Sequence, residues 1–412
     1  MSPVYIAGIA MTVFGRHLDR PLHDLAGEAL AGALKDAGCI VGDLGVAFYA
    51  GVTNGPLQGQ LSIPGQVVLA KLGIEAIPIF NVENGCASGS SAFHLAVQSL
   101  RGGTTDVALA IGAEKMNVPD KLKALALFEA GWDVSRADEN YRMLMKMGEG
   151  IVPPPGSESD KPYSRFMAIY AALCRNHMKT FGTTQRQLAA VSAKNHGHSV
   201  HNPYSQFRKP FTVDEILAAP PITYPLTLPM CAPLSDGSAA AILCTEEGLE
   251  RIGADRSRAI KVAASVMRSF SNRRADQFEL NLGRLAANQA YEQAGLGPQD
   301  MDVAEVHDAS AMGEIIQAEN LGLVPLGQGG PAAERGEFTL GGRIPINPSG
   351  GLESKGHPLG ATGIGMLYEL VTQLRGEAGA RQVRGARHAI QENGGSMQGV
   401  EEAAVAIHIL SK

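Results

Sequence analysis

The feature that most constrains the fold of this chain is an internal repeat. Residues 86–102, CASGSSAFHLAVQSLRG, align without a gap on residues 360–376, GATGIGMLYELVTQLRG. Each copy is followed by an apolar run typical of a strand and then by a turn that contains glycine. Two glycine-rich helix starts can resemble each other by chance, but this match continues to the residues that end the helix. So long a repeat predicts two copies of one α/β domain, each presenting a helix N-terminus to a common region.

The first copy follows an apolar run, residues 77–82, that predicts a buried strand. Cys86 lies where this strand turns into a helix, between Gly85 and Ala87, which are too small to cover it. A thiol at a helix N-terminus is near the positive end of the helix dipole, so we expect a lowered pKa and a nucleophilic thiolate. The alternative is a small core cysteine without a catalytic role.

Two histidines are candidates to act with this thiol. The second copy has Gly360 in place of the cysteine, but His357 lies just ahead of it. Two pseudo-symmetric halves would bring this imidazole close to Cys86, and such a pair activates a thiol at neutral pH. His307 follows an apolar run and precedes a helical pattern at 312–321. Either histidine alone would be expected to be structural, whereas the three residues together predict an active site.

The rest of the chain alternates between strand and helix patterns, which indicates an α/β fold with a largely parallel sheet. Residues 117–225 break this alternation, because they are richer in charge, methionine, tyrosine and proline and contain helical patterns at 161–181 and 184–198. We interpret them as an inserted, mainly helical subdomain. The predicted domains are therefore residues 1–116 plus 226–255, the insert at 117–225, and residues 256–412.

Composition and charge exclude several kinds of function. The 412 residues carry a net charge of −6 and no basic stripe, so nucleic-acid binding is not expected. The five cysteines have no paired spacing, which predicts a reduced, cytoplasmic protein with no metal site. No apolar run reaches membrane-spanning length, and the N-terminus has no export signal, so we expect neither an anchor nor secretion.

Four segments carry a resemblance to a known family. NGCASGSSA, GAEKM, SDGSAAAIL and GGLESKGHPLGATG resemble the thiolase superfamily, and the resemblance spans essentially the whole chain. The His307-Asp308 pair and the segment at residues 175–212 resemble the sterol-carrier-protein-type and archaeal-like branch. This resemblance implies a five-layered αβαβα fold of two duplicated α/β domains with an inserted, mainly helical loop domain.

The resemblance also implies an activity and roles for residues. It implies an acyl-CoA thiolase of lipid or aromatic acyl-CoA metabolism. This is an acyltransferase that cleaves or forms a carbon–carbon bond of a 3-oxoacyl-CoA through an acyl-cysteine, with CoA as the acceptor. Cys86 would be the nucleophile and His357 its base, and His307 and His357 would hold the thioester oxygen. A second oxyanion site, formed by N–H groups of Cys86 and of Gly394 and Gly395, would bind substrate next to Asn393.

The family further implies what the protein binds. Coenzyme A would be a substrate, and no cofactor would be bound covalently. Thiolases assemble as homodimers or dimers of dimers, and members of this branch often act with a small OB-fold subunit that carries a zinc ribbon. Both kinds of partner are expected here on the resemblance alone.

Two departures from the family affect the expected mechanism. Common thiolases have a second cysteine, an acid/base, in a glycine-rich turn near the C-terminus, but residues 391–396 here are QENGGS. Some relatives have a cysteine after the histidine-aspartate pair, where this chain has Ala309. His307, Glu392 or a group of the substrate would then take the acid/base role. Cys231, the cysteine near the SDG segment, is expected to be a packed core residue.

Two further functions stay open at this level. A retro-aldolase would use the same fold without an acyl-cysteine, and it would keep its activity when Cys86 is replaced. A non-catalytic subunit that binds acyl-CoA or lipid within a complex would need none of the three reactive side chains. The presence of Cys86, His307 and His357 favours the enzyme.

Overall fold

A computed structural model describes residues 2–412. The strands are Tyr5–Met11 (β1), Val46–Ala50 (β2), Ile79–Val82 (β3), Val107–Glu114 (β4), Pro221–Thr223 (β5), Leu226–Thr227 (β6), Gly237–Cys244 (β7), Ile260–Ser269 (β8), Val303–Glu305 (β9), His388–Gln398 (β10) and Glu401–Ser411 (β11).

The helices are Leu22–Ala37 (α1), Asn54–Gln58 (α2), Pro64–Ala70 (α3), Ser88–Arg101 (α4), Lys121–Ala126 (α5), Ala137–Met147 (α6), Arg165–Phe181 (α7), Gln185–Ser199 (α8), Val213–Leu217 (α9), Glu246–Ile252 (α10), Leu282–Ala294 (α11), Ala311–Asn320 (α12), Gly329–Glu334 (α13), Gly351–Lys355 (α14) and Leu359–Arg375 (α15). Within residues 2–412, none of them is both long and apolar enough to cross a membrane.

The strand order shows the duplication directly. Nine strands form one sheet in the order β3-β2-β4-β7-β1-β8-β11-β10-β9. In the first half, β2 and β4 are parallel, and β7 is antiparallel to both β4 and β1. In the second half, β9 and β10 are parallel, and β11 is antiparallel to both β10 and β8. The order β2-β4-β7-β1 of the first half therefore matches the order β9-β10-β11-β8 of the second, and β3, which is parallel to β2, is added at the edge of the first half. The short antiparallel pairing of β1 with β8 joins the two halves.

The two halves of the sheet and the helices on their faces stack in five layers, as the family resemblance implied. The two helices of the repeat, α4 and α15, pack on each other and on strands of both halves, so they form the middle layer. On the outer faces, α1 packs on β1, β4 and β7, and α11 packs on β8 and β11. Separate apolar clusters fill the spaces between these layers, because each helix buries an apolar face against a sheet.

The two central helices approach closely at equivalent glycines of the repeat. A Cβ on Gly89 would lie 2.7 Å from the carbonyl oxygen of Gly360, and a Cβ on Gly363 would lie 2.5 Å from the backbone nitrogen of Ser90. Real Cβ atoms do not come this close to backbone atoms, so only glycine allows the two helix N-termini to meet. The repeated sequence therefore specifies the contact between its own two copies.

Between β4 and β7 the chain is mainly helical, from α5 to α9, with the small hairpin β5–β6. The sequence predicted the helix α7 from residue 161, but it begins at Arg165. Pro162 has no N–H to donate, and Ser164 has the extended backbone of a residue that precedes a helix. An apolar cluster that includes Trp132 and Ile169 packs on Met397 of β10, so these helices rest on the second half.

Candidate active site

Cys86 lies in the tight connection between β3 and α4. Gly85 has a φ of 55°, a left-handed backbone that glycine adopts without strain. The carboxylate of Glu83 accepts a hydrogen bond from the Gly85 N–H at 2.7 Å, and the hydroxyl of Ser88 donates to the Gly85 carbonyl at 2.6 Å. These bonds fix the turn, so that the partly buried thiol projects into a cavity.

His357 is hydrogen-bonded to this thiol, with 3.1 Å between its Nε2 and the Cys86 Sγ. Its other nitrogen, Nδ1, lies 2.8 Å from the hydroxyl oxygen of Thr362, and that hydroxyl lies 2.9 Å from the carbonyl of Pro358. Because the Thr362 hydroxyl donates to this carbonyl, it accepts from His357, which puts the imidazole proton on Nδ1. The bare Nε2 is then oriented to take a proton from Cys86.

The prediction of a lowered pKa for Cys86 was wrong. Burial raises the pKa of Cys86 to about 12, and the backbone N–H groups of Cys86 and Ser396 offset only part of that rise. Burial likewise lowers the pKa of His357 well below its ordinary value, and the neighbouring His307 and Lys355 lower it further. The cost of burying a charge exceeds the benefit of the helix dipole, so the resting pair is a neutral thiol and a neutral imidazole.

His307 completes the group just beyond the end of β9. Its ring packs edge-on against that of His357, with 5.2 Å between centroids, and its backbone N–H donates to the Glu392 carboxyl at 3.0 Å. Burial lowers the pKa of His307 to about 4, so the ring is neutral at pH 7. Its Nε2 is buried and has no hydrogen-bond partner among the described residues. An unpaired buried nitrogen of this kind is available to a substrate atom.

The three side chains also form a potential metal site, which the sequence analysis did not expect. The ligand atoms of Cys86, His307 and His357 all lie within 4.8 Å of one another. A thiolate and two imidazoles are ligands that suit zinc. The expectation that the protein binds no metal stays a prediction. The sequence analysis did not foresee that these three side chains lie together, because spacing along the chain cannot reveal residues that only the tertiary structure brings together.

The predicted substrate-binding residues lie close by, on β10. Gly394 and Gly395 pair with β11, and the Asn393 side chain accepts a hydrogen bond from the Ser90 hydroxyl at 2.9 Å, facing the central helices. The N–H that reaches the Cys86 sulfur from this strand belongs to Ser396. The role of Gly394, Gly395 and Asn393 in substrate binding stays a prediction.

The thiol and His357 open onto a cavity of about 500 Å³. Helices and loops of residues 117–225 supply much of its wall. Among the side chains that the structure describes, Glu83 is the one aspartate, glutamate, lysine or arginine that lines it. Its large apolar lining residues include Met116, Leu125, Leu127, Phe128, Phe166, Met167, Tyr170, Ile222, Leu228, Leu234 and Leu359. A space of this size and polarity accommodates a ligand much larger than an acetyl group.

One residue of this cavity was missed by sequence reasoning. Cys231 was expected to be a packed core residue, but it is partly buried and lines the cavity beside Ala309. No local pattern distinguishes it, because its position depends on a β-bridge to Ser310 in the other half of the molecule. Only the tertiary structure brings this second thiol to the site.

Comparisons with known proteins show what the chain is similar to. Residues 4–218 match the family model described as "Thiolase, N-terminal domain", and residues 263–411 match "Thiolase C-terminal domain-like". Sterol carrier protein 2 of Rattus norvegicus is 38% identical over 399 residues, which cover 95% of this chain and 69% of that protein. Acetyl-CoA acetyltransferase of Methanothermobacter thermautotrophicus is 35% identical over 414 residues, the full length of both chains.

Two further similarities concern other named proteins. Benzoylsuccinyl-CoA thiolase subunit BbsB of Thauera aromatica is 33% identical over 386 residues, covering 92% of this chain and 91% of that one. The solved structure named "Ltp2-ChsH2(DUF35) aldolase" superposes with a TM-score of 0.77 at 21% identity, covering 99% of this chain and 97% of that one. At this identity the structural likeness concerns the fold.

Proposed function

Because this chain belongs to the thiolase family and is an acyltransferase, we propose that it cleaves or forms the carbon–carbon bond of a 3-oxoacyl-CoA, with coenzyme A as the acyl acceptor. The observation that carries the proposal is the 3.1 Å contact between the Cys86 thiol and His357 Nε2. A thiol beside a correctly oriented base is the arrangement that nucleophilic catalysis requires.

In the proposed mechanism the proton leaves Cys86 only when substrate is present. His357 takes it through Nε2, and Thr362 keeps the ring in the required tautomer. The Cys86 sulfur then attacks the 3-oxo carbon, and the bond between that carbon and the α-carbon breaks. Cys86 is left as a thioester, and the departing acyl-CoA is an enolate.

Two groups of donors would stabilise the negative charges. The unpartnered Nε2 of His307, with the protonated His357, would hold the thioester oxygen of the enolate. The N–H groups of Cys86 and Ser396 would hold the oxygen of the carbon under attack, with Gly394 and Gly395 shaping the strand beside them. Donors fixed in a buried site are usually the largest contribution to catalysis of this kind.

The cavity supports a bulky substrate. An apolar space of about 500 Å³ next to Cys86 fits a long, branched or aromatic 3-oxoacyl group better than an acetoacetyl group. We therefore propose an acyl-CoA of lipid or aromatic metabolism as the substrate.

We also propose partners for this chain. A homodimer or dimer of dimers is expected for a thiolase, and a small OB-fold zinc-ribbon subunit is expected for this branch. A relative over nearly the whole chain is named as a subunit of benzoylsuccinyl-CoA thiolase, which supports a heteromeric assembly. Copurification of the chain with small zinc-binding proteins tests this expectation.

The test of the function is a screen of 3-oxoacyl-CoAs with free CoA. We expect cleavage of substrates with large apolar acyl groups, an acyl adduct on Cys86 in the mass spectrum, and loss of both in Cys86→Ala. Cleavage that survives in Cys86→Ala would instead identify a retro-aldolase. Acyl-CoA binding without turnover, with or without a zinc-ribbon partner, would identify a binding subunit.

A further inference from the structure

A second thiol occupies the wall of the cavity that contains Cys86. Cys231 follows the short turn Leu228–Met230, and the N–H of Ala232 donates to the Ala309 carbonyl at 3.0 Å. This bond, with the β-bridge from Cys231 to Ser310, holds Cys231 next to Ala309. Both side chains line the cavity into which Cys86 and His357 project.

The two thiols differ in their hydrogen-bond partners. The Cys86 sulfur contacts His357 Nε2, a base that can take and keep its proton. The Cys231 sulfur lies 3.7 Å from the carbonyl oxygen of Thr227, which accepts a hydrogen bond but cannot remove a proton. Cys86 therefore has a neighbouring base that can make it a nucleophile. Cys231 has none, so it keeps its proton until a stronger base is formed in the cavity. Such a division of environments assigns acid and base roles to two similar groups.

Burial of the surroundings of Cys231 adds to this difference, and Glu353 is a buried carboxyl in the same region. It belongs to α14, which packs on the turn Leu228–Met230, and it is fully buried. Neither of its carboxyl oxygens has a hydrogen-bond partner within residues 2–412. Burial raises the pKa of the Cys231 thiol well above its ordinary value, and it also raises the pKa of the Glu353 carboxyl well above its ordinary value, so Glu353 holds a proton and offers no charge to Cys231. A thiolate formed at Cys231 is consequently a strong base, which recovers a proton readily.

We propose that Cys231 is the second acid/base of this site and protonates the α-carbon of the departing acyl-CoA. This inference rests on the function proposed above. When the carbon–carbon bond breaks, its electron pair stays on the acyl-CoA as an enolate. The Cys231 thiol gives its proton to the enolate carbon and becomes a thiolate.

The second half of the catalytic cycle returns Cys231, His357 and Cys86 to their starting protonation states. The Cys231 thiolate takes the proton of the incoming CoA thiol, and the CoA sulfur attacks the acyl-Cys86 thioester. The bond between the acyl group and Cys86 breaks, and Cys86 recovers its proton from His357. No oxidant, reductant or metal is consumed, and the products are two acyl-CoA molecules.

Glu392 is the competing residue for this role. It is buried, and burial and the nearby Glu402 raise its pKa well above the ordinary value, so it also holds a proton. One of its oxygens accepts the His307 N–H, and it does not line the cavity. Direct exposure to the cavity favours Cys231.

Two reactions of the full-length protein distinguish the proposed role of Cys231 as acid/base from the role of Cys86 as nucleophile. Cleavage of a 3-oxoacyl-CoA by CoA requires a proton at the α-carbon. Exchange of an acyl group between acyl-CoA and isotopically labelled CoA forms no carbanion, so His357 alone can pass the proton between Cys86 and the CoA sulfur while Cys231 stays protonated. We expect Cys231→Ala and the nearly isosteric Cys231→Ser to slow cleavage about 100-fold or more, and exchange less than about tenfold. Cys86→Ala should abolish both reactions, and Cys39→Ala, far from the cavity, should change neither.

The outcomes are distinct. Cleavage at the wild-type rate in either Cys231 variant overturns the proposal, and selective loss of cleavage in Glu392→Gln would then assign the proton to Glu392. Equal losses of cleavage and exchange in both Cys231 variants would make Cys231 structural and also overturn it. Wild-type protein that neither cleaves nor exchanges refutes the proposed thiolase function itself, and with it this assignment.

Discussion

At the scale of single residues, the proposed chemistry depends on which nitrogen atoms of the two histidines have a hydrogen-bond partner. Thr362 and Cys86 engage both nitrogens of His357, which fixes that ring as a base. His307 keeps a buried nitrogen without a partner in the described part of the chain. In the proposed mechanism, this difference separates a residue that moves a proton from one that holds a developing negative charge.

Replacement of His307 tests this division. We expect His307→Ala to lower kcat for 3-oxoacyl-CoA cleavage by about 100- to 1,000-fold, because an oxyanion donor is lost. His307→Asn should recover part of the rate, since an amide can donate to the same oxygen. The measurement is steady-state kinetics, with the exposed His201→Ala as control. Equal rates for the Ala and Asn variants would contradict the role of a donor.

At the scale of elements, buried ion pairs hold the connections that carry these side chains. Lys355 ends α14, two residues before His357, and its Nζ lies 3.1 Å from the carboxylate of Glu305 at the end of β9. Both side chains are fully buried. The same carboxylate accepts hydrogen bonds from the Ser349 N–H and hydroxyl. The Lys355–Glu305 ion pair therefore links the segment that precedes His357 to the strand that precedes His307.

Loss of one partner of this pair should be costly. We expect Lys355→Met to lower the free energy of unfolding by about 3–5 kcal/mol, because Glu305 would be left as an unpaired buried charge. The double variant Glu305→Gln with Lys355→Met should regain part of the stability, since a neutral amide still accepts from Ser349. Urea unfolding of wild type, Lys355→Met and the double variant measures these differences in the free energy of unfolding. A single variant as stable as wild type would show that the pair contributes nothing.

At the scale of the whole molecule, the candidate active site lies where the two halves meet. Cys86 comes from the first half and both histidines from the second. Besides the central helices, β10 of the second half approaches the turn of Cys86. A Cβ on Gly395 would lie 2.0 Å from the carbonyl oxygen of Asn84 and 2.7 Å from the backbone nitrogen of Ala87. The site therefore depends on close backbone contact between the halves.

Two neighbouring glycines give a matched test of this contact. We expect Gly395→Ala to reduce cleavage by more than about tenfold, because the new Cβ meets backbone atoms that cannot move without displacing Cys86. Gly394→Ala would meet the Glu402 side chain at 2.6 Å, which can rotate away, and should reduce activity less. Activity and thermal unfolding of both variants are the measurements. Equal effects would argue against a special contact at Gly395.

Helix α8 adds a pH-dependent contact with the second half. His198 lies with Nδ1 3.0 Å from the Asn347 carbonyl oxygen, and its Nε2 accepts the Leu340 N–H at 3.1 Å. Burial, and then the charge of Lys194, lower the pKa of His198 to about 3. In the unfolded chain, the imidazole of His198 binds a proton near pH 6.5, whereas in the folded protein it binds one only near pH 3. The contribution of neutral His198 to the free energy of unfolding is therefore fully present above pH 6.5 and is lost as the pH falls toward 3.

A variant isolates this effect from other titrations. The stability advantage of wild type over His198→Gln should shrink by about 2 kcal/mol between pH 7.5 and pH 5, because glutamine takes up no proton on unfolding. Urea unfolding at the two pH values measures it. An advantage that stays constant with pH would contradict the buried, neutral state of His198.

Much of the fold could be predicted from the sequence, because local patterns specify it. Helices α1, α11 and α15 each end at a glycine with a left-handed backbone, Gly38, Gly295 and Gly376, which is a stop signal present in the local sequence. The resemblance to thiolases implied the duplicated five-layered architecture. The start of α7 was misplaced because proline and capping effects compete over a few residues. The domain boundaries at residues 116, 225 and 255 stay a prediction.

The sequence by itself determined the repeat and the reactive residue types, since the periodicity of apolar residues and the glycines at helix starts are local properties. Only the tertiary structure decided the contact of Cys86 with His357, the potential metal-binding cluster and the arrival of Cys231 at the cavity. It also reversed the expected pKa of Cys86. The reason is that burial and long-range contacts set the charge of a side chain, and neither is encoded in its neighbours along the chain.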